Sequence, residues 1–215
     1  MLKGTFAFEG CGAIILSLRF IHDFGVVGGI YRGIFTSVSA FCNAGFDLMG
    51  RESPFCSLAG YTDDIVVNIT VTLLIIIGGL GFLVWEEVLT VRKFSKYSLS
   101  SKMVLIGTGL LIVTGAAFVF LFENTNPETM GDMSLKGKLL GSYFQSVSFR
   151  TAGFSTINLA GLKECTVVIA VVYMFIGGAS GSCLLYTSLC GSSRKYGWSS
   201  DISSRETPAF STISE

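Results

Sequence analysis

Two stretches of this sequence place glycine, hydroxyl and amide groups where the surrounding chain is almost wholly apolar. The first, FTSVSAFCNAGFDLMG, occupies residues 35–50, and the second, FQSVSFRTAGFSTINLAG, occupies residues 144–161. Aligned, they pair Phe35 with Phe144, Ser37-Val38-Ser39 with Ser146-Val147-Ser148, and Ala44-Gly45-Phe46 with Ala152-Gly153-Phe154, with one residue skipped between the blocks. Two such matches, each lying between apolar runs, mark an internal repeat. The chemistry open to these segments is backbone coordination. Glycine admits conformations that a side chain resists, and successive carbonyl oxygens can then replace the hydration shell of a cation. The candidate ligating residues are Asn43, Ala44, Gly45 and Phe46 in the first copy, and Thr151, Ala152, Gly153 and Phe154 in the second.

The elements that must hold these segments are hydrophobic helices. A spanning helix needs about 20 apolar residues. Residues 5–20, 65–85 and 103–122 qualify or nearly do, the first carrying one carboxylate, Glu9. Residues 165–176 are too short alone; they meet GGASGS at 177–182 and resume as CLLYTSLC, the pattern of a helix interrupted in mid-membrane. The order is therefore span, polar segment, span, and then the same again. Residues 31–41, YRGIFTSVSAF, can form a helix too brief to cross a bilayer, after which the chain would return outward in extended form. Hydrocarbon cannot satisfy a backbone, so such a dip requires protein or water around it. Polar loops outside the membrane are the plainer reading of one copy; two matching copies favour the dip.

Of the 215 residues, 50% are hydrophobic and only 14% charged, with 26 glycines and 3 prolines, which is the composition of an integral membrane protein. A formal net charge of +0 leaves no footprint for nucleic acid. The six cysteines (Cys11, Cys42, Cys56, Cys165, Cys183, Cys190) form no CxxC pair, and the lone His22 reads as an interfacial residue. There is no HExxH, no phosphate-binding loop and no Ser/His/Asp set, so an enzyme is not expected.

Arg92, Lys93, Lys96 and Lys102 crowd the connection after residues 65–85, and Arg194, Lys195 and Arg205 lie in the tail. Placing both inside puts the N-terminus inside and lets each polar segment enter from outside. Lys136 and Lys138 dissent, but Glu123, Glu128 and Asp132 accompany them. Asp47 could draw cations to the outer mouth or simply form a turn. Arg150 could anchor its loop to a carboxylate such as Glu123, and Glu9 is expected to face the bundle interior.

FTSVSAFCNAGFD, FQSVSFRTAGFSTINLAGL and MFIGGASGS together resemble the second and third pore loops and the broken helix of the Trk/Ktr/HKT superfamily, specifically the bacterial potassium-uptake subunits. The resemblance runs from near residue 5 to Ser182. It implies an all-α membrane protein built from helix–pore-loop–helix repeats, four around one pore, each giving a filter strand with a key glycine, here Gly45 and Gly153. It also implies an intramembrane gating loop at Gly177, Gly178, Ala179, Ser180, Gly181 and Ser182. This chain carries two such repeats, so it is expected to be a partial subunit. The repeats occupy residues 1–88 and 103–190, with a cytoplasmic linker at 89–102 and a divergent tail at 191–215.

The function expected on this basis is potassium uptake across a bacterial plasma membrane, with Na⁺ permeation left open and no cofactor in the chain. The expected partners are the lipid bilayer, a homodimer mate or complementary pore subunit, and a cytosolic nucleotide-binding regulatory subunit. The competing expectation is a truncated, non-conducting protein that associates with full-length subunits.

Overall fold

The computed structural model describes residues 2–49, 57–91, 94–131, 133–150 and 152–176, and among them the chain is helical throughout, with no strand. Six helices follow one another: α1 (Leu2–Phe41), α2 (Ile65–Leu80), α3 (Phe82–Thr90), α4 (Leu99–Glu123), α5 (Leu135–Ser148) and α6 (Glu164–Ile176).

α1 is two helices. At Gly25 the backbone adopts φ 72 and ψ 174, a region essentially reserved for glycine, and the chain reverses. Residues 26–41 then run back along residues 2–24. Any β-carbon on Gly29 would overlap the backbone of Ile21, and one on Gly33 would overlap Ser17, so small residues let the two halves touch. The Ser37 hydroxyl donates to the Glu9 carbonyl at 2.7 Å, which fixes the register of the hairpin. The short helix expected at residues 31–41 therefore begins earlier, directly after Gly25.

The run at 65–85, expected as one straight span, is also broken. Asp64 caps α2 by accepting from the amides of Val66 and Val67. The helix stops at Gly81 (φ 80, ψ 159), and α3 leaves at 101°. By length and composition α4 can cross a membrane, as can the Gly4–Phe41 run, whose reversal at Gly25 leaves residues 4–24 as the arm long enough to do so; α2 and α3 add a third if they count as one bent span. Their outward apolar side chains, among them Leu18, Val113 and Leu121, are exposed, as hydrocarbon contact requires.

Two buried apolar clusters hold the bundle together. Leu16, Phe20, Val67, Val71, Phe144 and Phe154 form one buried cluster, and Val119, Met130, Phe149, Ile157 and Tyr173 form another. α2 packs on the α1 hairpin and on α5; α4 packs on α5. Some of the polar groups buried at these seams find partners, although the Oδ1 of Asn68 and the hydroxyl of Thr36 have no hydrogen bond. The Asn68 amide donates to the carbonyls of Tyr61, Thr62 and Asp64, and Thr114 meets Tyr173 hydroxyl to hydroxyl at 2.6 Å.

The two halves of the chain use matching contacts. Ser37 bonds the Glu9 carbonyl, and Ser146 bonds the Ile112 carbonyl at 2.8 Å. A β-carbon on Gly12 would strike Ser37 and Leu74, and one on Gly115 would strike Ser146 and Tyr173. In each half a first helix offers a glycine where a serine of the short helix and a large residue of the third helix converge.

Candidate functional site

The short helices at 26–41 and 135–148 deliver the two Ala-Gly-Phe segments to one place. Gly45 has φ 72 and Gly153 has φ 79, a left-handed conformation that a side chain would resist. The two loops touch: a β-carbon built on Gly45 would stand 2.7 Å from the Ala152 carbonyl oxygen. Neither position has room for a side chain. Asn43 is left-handed too, with φ 51, and its side chain lies beside Gly79 of α2. A β-carbon on Gly78 would overlap the Phe41 carbonyl, so α2 presses directly on the C-terminal end of the first short helix.

The structure brings Asn43, Ala44, Gly45, Phe46, Ala152, Gly153 and Phe154 into these adjoining loops. Thr151 and the gating-loop candidates Gly177, Gly178, Ala179, Ser180, Gly181 and Ser182 lie outside the described residues. Equivalent positions differ in exposure. Phe154 is 1% exposed, whereas Phe46 is 69% exposed. Phe154 is covered because the second loop rests against residues 57–62: the Leu58 amide donates to the Ser155 carbonyl at 2.9 Å, and the Thr62 hydroxyl donates to the Thr156 carbonyl at 2.7 Å. Ser134 adds a hydrogen bond to Asp63 at 3.0 Å.

Of the charged residues near the loops, Asp47 makes the turn that the sequence left open, while Glu123 takes partners other than the Arg150 suggested for it. Asp47 forms a turn, its carboxylate accepting from the Met49 amide at 3.0 Å. Glu123 is fully buried, and its carboxylate accepts from the side chains of Asn126, Thr129 and Thr166 and from the Lys163 amide. Those donors take the place that the sequence assigned to Arg150. Sequence reasoning missed the Glu123 clamp because its donors are scattered over residues 126–166.

Glu9 lines an open apolar groove with Phe6, Ile14, Leu18, Ile34 and Val38, between the halves of α1. At the other end of the hairpin, Arg19 is paired with Asp64 and with Asp23, at 3.0 Å for the latter. The Tyr61 hydroxyl donates to Asp23 at 2.8 Å. This cluster fastens the start of α2 to α1.

Residues 13–185 match the TrkH family model, described as a cation transport protein. The Ktr system potassium uptake protein B of Bacillus subtilis is 38% identical over 178 residues, covering 83% of this chain and 39% of the relative. The potassium/sodium uptake protein NtpJ of Enterococcus hirae is 37% identical over 182 residues, covering 85% and 39%. The Ktr system potassium uptake protein D of Bacillus subtilis is 32% identical, covering 81% and 38%. The chain thus spans about two fifths of the length of these relatives. With its apolar spans and this match over most of its length, the chain is a membrane protein, not an enzyme, and belongs to the TrkH family of cation transport proteins.

Proposed function

We propose that this chain supplies two neighbouring strands of a potassium-selective pore in the plasma membrane. The observation that carries the reading is the pair of left-handed glycines, Gly45 and Gly153, each preceded by a short helix and packed loop against loop. Backbone so arranged can present the carbonyls of residues 43–46 and 151–154 to a dehydrated K⁺. The helix at 26–41 and α5 point their C-terminal, partially negative ends towards the same region. The ion would then pass the loop at 177–182, which gates the path, and enter the cytoplasm. Na⁺ is a second possible cargo, since one relative is named for both ions.

Two strands make only part of a ring. Phe46, 69% exposed where its counterpart Phe154 is 1% exposed, supports a missing neighbour on that side. A second copy or a complementary pore subunit would fill it, and a cytosolic nucleotide-binding subunit would face the connection around residues 91–98. The same exposure also favours a second reading, in which the chain docks on full-length subunits without conducting.

Growth of a potassium-uptake-deficient bacterium on low K⁺ separates these readings. Rescue by the wild-type chain that is lost in Gly45→Asp, with both in the membrane fraction, supports conduction. No rescue by a membrane-inserted chain, together with co-purification with full-length subunits, supports the docking reading.

A further inference from the structure

Each Ala-Gly-Phe segment is fastened at both ends by one serine of the short helix before it. The Ser39 carbonyl accepts from the Ala44 amide at 2.9 Å, and the Ser39 hydroxyl donates to the Phe46 carbonyl at 2.8 Å. Ser148 does the same: its carbonyl accepts from the Ala152 amide at 3.0 Å, and its hydroxyl donates to the Phe154 carbonyl. Both serines are buried. The left-handed glycine sits between the two fastened ends in each case.

The loops reach this arrangement from unequal lengths. Four residues separate Ser39 from Ala44, but three separate Ser148 from Ala152. The first loop absorbs the surplus at Asn43, the residue with φ 51. Equal spacing therefore does not impose the double fastening. It recurs across different spacings, which is how a geometric requirement looks.

We infer that Ser39 and Ser148 are positioning residues that set cation discrimination by clamping the Ala-Gly-Phe backbone at both ends. The inference rests on the pore reading above and refines it. A carbonyl that accepts a hydroxyl from the short helix is aimed at that helix. Phe46 and Phe154 thus act as anchors, which narrows the ligating carbonyls proposed above to those of Asn43, Ala44 and Gly45 in the first loop and of Ala152 and Gly153 in the second. A strand pinned at both ends of a three-residue stretch resists closing onto an ion smaller than K⁺. Loss of one hydroxyl frees the downstream end, so the cost falls on discrimination against Na⁺ more than on K⁺ affinity.

The test uses the full chain in lipid nanodiscs, with ⁸⁶Rb⁺ as the bound probe displaced by K⁺ or by Na⁺. The wild type is expected to release the probe at much lower K⁺ than Na⁺. Ser39→Ala and Ser148→Ala each shrink that ratio by about tenfold, the factor that one hydrogen bond of roughly 1.4 kcal/mol carries. Ser39→Thr and Ser148→Thr, which keep the hydroxyl, retain the wild-type ratio. If an alanine variant fails to insert, the cysteine variant, a weak donor of similar size, replaces it and is expected to lose discrimination too. A wild type that discriminates, beside alanine variants with an unchanged ratio, overturns the inference and leaves the pore reading standing. A helical, bilayer-inserted wild type that binds no ⁸⁶Rb⁺ overturns the pore reading and the inference together.

Discussion

A β-carbon placed on Gly45 would lie 2.8 Å from the α-carbon of Gly153, and one placed on Gly153 would lie 3.0 Å from the α-carbon of Gly45. The two loops share a wall made of bare backbone. Gly45→Ala and Gly153→Ala should each cost about 1–3 kcal/mol, because each adds left-handed strain to a steric conflict. The double variant should fall short of the sum, since the first intrusion already separates the loops. Thermal unfolding in detergent checks this, with Gly60→Ala, where a β-carbon meets nothing within 4 Å, as the neutral control. Strict additivity would show that the loops do not touch.

Gly25 isolates strain from sterics. A β-carbon there meets nothing within 4 Å, yet φ 72 with ψ 174 is closed to other residues. Gly25→Ala should therefore destabilise by about 1–3 kcal/mol through backbone conformation alone. An unchanged melting temperature would mean that the hairpin does not turn at this residue.

Glu123 at the end of α4 accepts from four donors, two in the connection that follows (Asn126 and Thr129) and two at the start of α6 (the Lys163 amide and the Thr166 hydroxyl). Glu123→Ala strands all of them in a dry site, and a loss of about 3 kcal/mol or more is expected. Glu123→Gln keeps the shape but turns an amide NH₂ towards the donors, with a smaller loss of about 1–3 kcal/mol. Unfolding midpoints of the two variants give the ranking. Equal values would indicate that water re-satisfies the site.

Asp64 has two roles, capping α2 and pairing with Arg19. Asp64→Asn retains the cap and should cost under about 1 kcal/mol, shrinking further in high salt. Asp64→Ala removes both and should cost about 1–2 kcal/mol, most of it insensitive to salt. Melting curves at low and high NaCl distinguish the two contributions.

The short-range pattern was legible where residue type alone dictates conformation. FxSVS and AGF located both loops, and the left-handed state of Gly45 and Gly153 follows from glycine in that pattern. A reversal between the span at 5–20 and the short helix at 31–41 was implied by the sequence, but not its place; Gly25 turns the chain, and Gly29 and Gly33 let the two halves pack on Ile21 and Ser17. The bend at Gly81 was hidden by the uniform hydrophobicity of residues 65–85. Ser39 and Ser148 were visible as repeat markers, but their double fastening depends on where Phe46 and Phe154 return in space.

Beyond the facing glycines, the halves are joined by a contact between unlike surfaces, in which residues 57–62 of the first half grip residues 155–156 of the second. That is a heterologous contact, and it carries a rotational sense. Repeated, such a contact advances always in one direction, building a ring where the rotation closes and an open series where it does not. Under the pore reading proposed above, Phe46, exposed where Phe154 is buried, is the face that a further unit would cover.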